Sequence, residues 1–442
     1  MGKYFGTDGA RGVANENLSV AMAFKIGEYL GYTFKGQNII IGSDTRLSKD
    51  MFLSALCAGI TSRGANAYTT GVISTPGISY LTKNKDFKAG IMISASHNPY
   101  YDNGIKCFNQ EGEKIDSDLE SKLEAYIDNQ IDLGPTSRDY IGRVIDYKDA
   151  VNEYLDYVAS TINEDLSGFN VLLDTANGSA SKLAGQLFSK LNIKTTIINN
   201  QPNGENINVD CGSTHLNQIS NTIKNAKGQY DLGLAFDGDA DRVLAVDSEG
   251  NTIDGDVIMF ICASYLKDKN LLHKDTLVTT VMSNIGLYKA LDDKGIKYEK
   301  TAVGDKYVYE CLKNEGLSLG GEQSGHIIFN DYANTGDGML SGLQLIQALK
   351  YFNASLKDMA SQVTIYPQLL ENVKVVDKDV VLNSDILNNE VKAIEEELHG
   401  NGRVLLRPSG TEPLIRVMVE ASTQEECQKY VKRMVDIIHT LK

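Results

Sequence analysis

The chain has 442 residues, of which 42% are hydrophobic and 23% charged, an ordinary globular composition with length for about three domains. Its formal net charge of −15 argues against a general nucleic-acid binder, which would carry a basic surface. Anionic small substrates stay open, because a pocket can be locally basic inside an acidic protein.

Taken in chain order, Asn38–Gly42 reads as a short buried strand. Asp50–Arg63 reads as a helix with Leu53, Leu56, Cys57 and Ile60 on one face. Ala89–Ser94 is a second apolar strand that runs into a polar loop. Asp116–Asn129 is predicted as a helix capped by Asp116. Ile131–Val144, with Gly134, Pro135 and Gly142, reads as a linker. The rhythm then repeats: helix 147–162, strand Val171–Asp174, a helix from Ala180, strand Lys194–Ile198, a helix around Ile219–Ile223 and strand Leu232–Phe236. A third block holds helix Val257–Leu266, strand Leu277–Val281, helix Ile285–Lys294, strand Tyr298–Ala302 and helix Lys306–Lys313. After Pro367, strands Val404–Arg407 and Ile415–Glu420 flank a tight turn, and a closing helix carries Val431, Met434, Val435 and Ile438.

The fold class expected is α/β, with three similar α/β domains over 1–145, 146–252 and 253–366 and a smaller C-terminal α+β domain over 367–442. The longest apolar run, Val257–Ala263, is far below the ~20 residues of a membrane helix. Six scattered cysteines form no CxxC pair, and Met1–Arg11 is polar and glycine-rich. A reduced, cytoplasmic, soluble protein with neither nucleic-acid nor membrane partners is therefore expected.

Four polar segments concentrate the chemistry. Ser94-Ala95-Ser96-His97-Asn98-Pro99 follows an apolar strand directly, where open α/β sheets gather ligands. It offers a nucleophilic serine, or merely a polar turn. No G-x-S-x-G elbow occurs, so a hydrolase triad gains no support. Asp237-Gly238-Asp239-Ala240-Asp241-Arg242 crowds three carboxylates into five residues. A hard cation relieves that repulsion; a solvated acidic turn is the competing reading. An EF-hand fails, because the sixth position is Arg242 and the twelfth Ser248.

Gly320-Gly321-Glu322-Gln323-Ser324-Gly325-His326 combines close backbone approach with groups suited to sugar hydroxyls or proton transfer; a decorated glycine turn is the alternative. Arg407-Pro408-Ser409-Gly410-Thr411-Glu412-Pro413, with Arg416 beyond, has the guanidinium, hydroxyl and backbone donors of a phosphate site; a plain hairpin turn competes. No Walker A loop is present, and Gly336-Asp337-Gly338-Met339-Leu340-Ser341 lacks the third glycine of a dinucleotide fingerprint.

Together with Phe5-Gly6-Thr7-Asp8-Gly9-Ala10-Arg11-Gly12, these segments resemble the α-D-phosphohexomutase family, in the family's order and over nearly the whole chain. The resemblance implies four domains around a central cleft. It implies that Ser96 carries a phosphoryl group, and that one Mg²⁺ per chain is held by Ser96, Asp237, Asp239 and Asp241. Arg11, Lys106 and Arg242 match positions around the phosphoserine. Glu322 and Ser324 match sugar-gripping positions. Arg407, Ser409, Gly410, Thr411 and Arg416 match the site for the non-reacting phosphate. Lys106 and His326 are candidates for acid/base or polarising roles, and His97 for a role there or in orienting the loop.

Within the family, Phe5–Gly12 and Gln323 resemble the members that act on glucosamine phosphates. Other members more often place methionine at the Gln323 position and histidine at Asp305-Lys306, while Ala10 departs from the bulkier residue usual before Arg11. The expected reaction interconverts glucosamine 6-phosphate and glucosamine 1-phosphate, with a bisphosphorylated sugar as intermediate or activator, for UDP-N-acetylglucosamine and cell-wall synthesis. Partners are then a hexosamine phosphate and, in a homodimer, a second copy; a monomer is equally compatible. A glucose or mannose phosphate mutase, a metal-dependent sugar-phosphate phosphatase and a non-catalytic sensor are the rivals.

Overall fold

The computed structural model describes residues 2–6, 8–409 and 413–441. The chain divides into two packed units, one comprising Met1–Met282 and Ile296–Ala360, the other Ser283–Gly295 and Ser361–Lys442.

The first unit holds three sheets. β1 (Phe5–Gly6), β2 (Gly9–Val13), β3 (Asn38–Ser43), β4 (Asn66–Val72), β5 (Ala89–Ile93), β6 (Asp102–Asn109) and β7 (Val144–Asp146) form one, in the order β1-β2-β6-β5-β3-β4-β7. All five residues of β5 are buried, as an unbroken apolar run demands of a strand covered on both faces. Helices Val20–Thr33, Lys49–Ser62 and Ser117–Ile127 pack Leu30, Phe52, Leu56 and Leu123 against Ile39, Ile41, Ile91 and Ile93. Helix Thr75–Asn84 also packs on β3 and β5.

β8 (Asn170–Asp174), β9 (Lys194–Ile198), β10 (Leu232–Phe236), β11 (Val243–Asp247) and β12 (Thr252–Ile253) form the second sheet, with β10 central, parallel to β8 and antiparallel to β11. β13 (Thr276–Thr280), β14 (Lys297–Thr301), β15 (Leu319–Gly321) and β16 (Ile327–Phe329) form the third. Helices Gly255–Asp268 and Gly338–Phe352, buried almost all round, pack against each other beside it.

In the second unit, β17 (Gln368–Lys374), β18 (Arg403–Pro408) and β19 (Leu414–Glu420) form an antiparallel sheet with β19 central. Ile415, Val417 and Val419 point to one face, the period-2 pattern of a one-sided sheet. Leu387 and Ile394 of helix Asp385–Glu397 and Val431, Met434 and Ile438 of helix Gln424–Thr440 cover that face.

One expectation changes and two segments gain a structure. The end of the linker read over Ile131–Val144 belongs to the first sheet, because Val144 opens β7 and pairs in parallel with β4. Three half-exposed residues on an edge leave no hydrophobic period to read. β1 and β2 arise from the glycine-rich opening, which has no strand pattern of its own. The incomplete dinucleotide fingerprint is the N-terminus of helix Gly338–Phe352, capped by Asp337, whose Oδ1 accepts from Leu340 N at 3.0 Å. Among the described residues, no helix is long and apolar enough to cross a membrane.

Candidate active site

β5, β10 and β15 each end in one of the polar loops singled out above: Ser94–Pro99, Asp237–Arg242 and Glu322–His326. A cleft of about 540 Å³ in the first unit is lined by Asp8, Arg11, Asp241, Arg242, Glu322 and His326, among others. Arg11 comes from β2 and Lys106 from its antiparallel neighbour β6.

Local backbone geometry brings the loops together. Ser96 and Ala240 both sit in the left-handed region, at φ 53° and 56°. The turn at Ala240 is closed by its N–H donating to the Asp237 carbonyl at 3.1 Å. A Cβ on Gly238 would lie 2.4 Å from the Ser96 carbonyl oxygen, so only glycine lets the acidic loop pack against the serine loop.

Ser96 Oγ donates to Asp237 Oδ2 at 2.6 Å and lies 3.3 Å from His97 Nδ1. Its single hydrogen serves one of these acceptors at a time. Arg242 N donates to Asp237 Oδ1 at 3.2 Å. Lys106 Nζ lies 2.7 Å from Asp239 Oδ2, 3.0 Å from Asp8 Oδ2 and 3.7 Å from Asp241 Oδ2. Thr75 Oγ1 also donates to Asp239 Oδ2. Asp8 pairs with Arg11, and Lys114 Nζ bridges Asp8 Oδ1 at 2.9 Å and Asp305 Oδ2 at 2.5 Å.

Burial and the neighbouring Asp241 and Asp239 push the Asp237 carboxyl well above the usual range. Burial acts the same way on Asp239, but Lys106 outweighs it and holds that carboxyl low. For Lys106 burial is opposed by Asp239, Asp8 and Asp241, so its ammonium is held charged far above neutrality. Fixed positive charge of this kind suits a polarising role. Burial, then Arg242 and Arg11, drive His97 down to about 4. Arg242 Nη1, which can only donate, faces His97 Nδ1 at 3.4 Å, so that nitrogen is an acceptor. His326 Nε2 accepts the Gly336 N–H at 2.8 Å, which fixes the ring to the backbone and occupies that nitrogen.

The unpartnered groups tell what the site is made to hold. One ligand oxygen from each of Asp237, Asp239 and Asp241 lies within 4.8 Å of the others. Asp239 Oδ1 and Asp241 Oδ1 are buried without a hydrogen bond, and so are Arg11 Nε and Arg242 Nε, although Arg242 Nε and Asp241 Oδ1 face each other as an ion pair at 3.9 Å. Buried polar atoms are otherwise almost always paired. Oxygens only, in a compact acidic set, suit a hard divalent cation such as Mg²⁺. Unused guanidinium donors beside them suit an anion with several oxygens.

Glu322 lines the cleft, and its Oε1 accepts the Gly304 N–H at 3.1 Å. Ser324 is exposed and does not line that cleft. Arg407 and Arg416 belong to the second unit, directly opposite each other on β18 and β19. Ser409 is buried, and its carbonyl accepts from Lys378 Nζ at 2.7 Å. Gly410 and Thr411 lie outside the described residues. Sequence reasoning did not single out Asp8, Thr75 or Lys114. Asp8 sat inside a quoted motif; Thr75 and Lys114 carry no local signal, since only folding brings them to the acidic groups.

Four domain families match in succession: phosphoglucomutase/phosphomannomutase alpha/beta/alpha domain I over residues 2–133, domain II over 147–250, domain III over 254–366 and the C-terminal domain over 370–437. A phosphoglucosamine mutase of Bacillus cereus (strain ATCC 10987 / NRS 248) is 51% identical over 443 residues, covering 99% of this chain and 98% of that protein. A phosphoglucomutase/phosphomannomutase family protein from Burkholderia thailandensis superposes with a TM-score of 0.80 at 21% identity, covering 99% and 98% of the two chains. The N-acetylphosphoglucosamine mutase of Aspergillus fumigatus, solved with GlcNAc-6P and magnesium, does so with a TM-score of 0.69 at 16% identity, covering 99% and 96%. With all four domains in order and half of its residues shared along its length with a phosphoglucosamine mutase, the chain belongs to the α-D-phosphohexomutase family, within its phosphoglucosamine mutase branch.

Proposed function

We propose that the chain interconverts glucosamine 6-phosphate and glucosamine 1-phosphate, with Ser96 as the residue that carries and exchanges the phosphoryl group. The observation that carries this reading is the compact set of three carboxylates beside Ser96, with two carboxylate oxygens and two guanidinium N–H groups buried there without a hydrogen bond. A serine phosphoryl group brings about −1.5 to −2 of charge, which such a set would receive.

Asp237, Asp239, Asp241 and Ser96 would hold one Mg²⁺, which when bound would supply Lewis-acid neutralisation of phosphoryl oxygens. Arg11 and Arg242 take phosphoryl oxygens through their free donors. Lys106 holds the carboxylates in register and adds fixed positive charge. Glu322 accepts hydrogen bonds from the sugar hydroxyls, with Ser324 beside it in sequence. His326, tied through Nε2 to the backbone, shapes the sugar loop.

In the first half-reaction the phosphorus–Ser96 Oγ bond breaks as a bond to the free sugar hydroxyl forms, giving a bisphosphorylated sugar. One proton passes net from the sugar hydroxyl to the freed Ser96 oxygen, with Lys106 and His326 the candidates to relay it. The second half-reaction returns the other phosphate to Ser96. Arg407, Ser409, Gly410, Thr411 and Arg416 hold the phosphate that is not reacting. The same bisphosphate would recharge enzyme that has lost its phosphate. Transfer of this kind rests on positioning and charge stabilisation. The product suits supply of UDP-N-acetylglucosamine for cell-wall synthesis in the cytoplasm.

The test is ³¹P NMR of the full chain with Mg²⁺, glucosamine 6-phosphate and a trace of bisphosphate, with glucose and mannose 6-phosphates in parallel. A new 1-phosphate resonance, fastest for glucosamine, is expected. Faster turnover of glucose or mannose overturns the substrate. Release of inorganic phosphate alone overturns the reaction.

A further inference from the structure

Arg46 lies immediately beneath the serine loop and is fully buried, at 0% exposure. Its guanidinium has five N–H donors, and every one has a partner. Nε donates to Asp44 Oδ2 at 2.9 Å. Nη2 donates to the carbonyls of Ser96 at 2.7 Å and Asn98 at 2.8 Å. Nη1 donates to the carbonyl of Asp102 at 3.1 Å and to that of Pro99. One planar side chain thus gathers three carbonyls of the serine loop and that of Asp102, the first residue of β6.

The same construction reaches Ser96 from its other end. Asp44 Oδ2 accepts from Ser94 Oγ at 2.7 Å, and Ser94 Oγ accepts the Ser96 N–H at 2.9 Å. From the second sheet's side, Asn208 Nδ2 donates to the same two carbonyls as Nη2, Ser96 at 2.9 Å and Asn98 at 3.1 Å. Ser96 itself holds a left-handed backbone, φ 53°, which serine adopts only when its surroundings impose it. With the carbonyl held by Arg46 and Asn208, Oγ reaches Asp237 Oδ2 at 2.6 Å.

We propose that Arg46, oriented by Asp44 and seconded by Asn208, is a positioning residue for phosphoryl transfer: it holds Ser96 in its left-handed conformation so that Oγ faces the acidic cluster in both the free and the phosphorylated enzyme. Arg46 touches neither the cleft nor the substrate, so its effect falls on the transfer step and not on substrate capture. Lysine cannot replace it, because a single ammonium has three donors and no planar fork. This inference rests on Ser96 as the phosphorylated nucleophile.

The experiment uses full-length wild type, Arg46→Lys and Asn208→Ala, each with Mg²⁺, glucosamine 6-phosphate and a trace of bisphosphate. For each, kcat and KM, the ³¹P shift of the phosphoserine and the folded fraction by thermal unfolding are measured. The expected result is a fall in kcat of at least tenfold in Arg46→Lys and at least threefold in Asn208→Ala, per folded molecule. KM stays within twofold of wild type, and the phosphoserine resonance moves. Should Arg46→Lys fail to fold, Asn208→Ala carries the same test, since it removes a neutral group that donates to the same carbonyls. Wild-type kcat per folded molecule with an unmoved resonance overturns the proposal, as does a rise in KM at constant kcat. A wild type that turns over with Ser96 never phosphorylated overturns the reading of Ser96 itself, and that result is seen before any variant is made.

Discussion

Lys106 Nζ and Asp239 Oδ2 lie 2.7 Å apart, across 133 positions of chain. One sits on β6 of the first sheet, the other on the loop after β10 of the second. Both side chains are essentially excluded from water, at 1% and 0% exposure. The pair ties the acidic loop to the sheet that carries the serine loop. Removing one partner of such a buried pair strands the other as an uncompensated charge, which costs about 3–5 kcal/mol. Lys106→Met should therefore lower the unfolding free energy by about that amount, measured by urea denaturation. It should also reduce kcat by about 10²–10³, the usual loss of a charge-stabilising donor.

Ser96→Ala should leave the fold intact and abolish turnover, by more than about 10³-fold. Alanine keeps the buried loop and loses only the oxygen. The check is ³¹P NMR turnover beside a thermal melt. Wild-type rate in this variant would remove Ser96 from the reaction.

Chelation of the divalent cation should stop turnover and lower the melting temperature together. The three carboxylates then repel one another, offset only in part by the Lys106 ammonium. Mg²⁺ at a hundred times its Kd should restore about 2.7 kcal/mol of stability. Calorimetric scans with and without EDTA measure it, and an unchanged Tm would sever the acidic cluster from metal binding.

Arg416→Ala should have two effects of opposite kind. Arg407 and Arg416 face each other across β18 and β19. Like charges so placed destabilise a strand pair by roughly 0.2–1 kcal/mol, so the variant should be slightly more stable in phosphate-free buffer. Its KM for glucosamine 6-phosphate should rise by about tenfold or more, the loss of one charge-assisted phosphate contact. An unchanged KM would take Arg416 out of the phosphate site.

Asp337 gives a pH dependence whose sign is set by burial. Its carboxyl accepts from Tyr154 Oη at 2.7 Å and from Leu340 N, yet burial pushes its pKa up to about 6. A carboxyl raised in the folded state favours folding while protonated. That contribution is complete below about pH 4 and is lost as pH rises through about 6. Asp337→Asn keeps an acceptor for the cap and cannot ionise. Its unfolding free energy should fall less between pH 4 and 7 than the wild type's, the difference between the two being on the order of a few kcal/mol.

The sequence by itself determined the strands and helices with a strong hydrophobic period. β9 and β10 match their predicted residues, and helix Ser117–Ile127 is capped by Asp116 as read. The unbroken runs of β5 and β10 also marked where the polar loops begin, because a strand buried on both faces must change composition abruptly where it leaves the sheet. The family was legible in the same way, since its motifs are local strings. What the strings do not contain is distance. That Asp8, Lys106 and Lys114 form a chain of charges reaching Asp239 and Asp305 follows from long-range packing, which no local pattern sets. That Thr75 reaches Asp239, that Lys106 is buried among three carboxylates, and that Arg46 spends three of its donors on the serine loop were decided by packing. Burial raises the cost of every unpaired charge until only mutually satisfied arrangements survive.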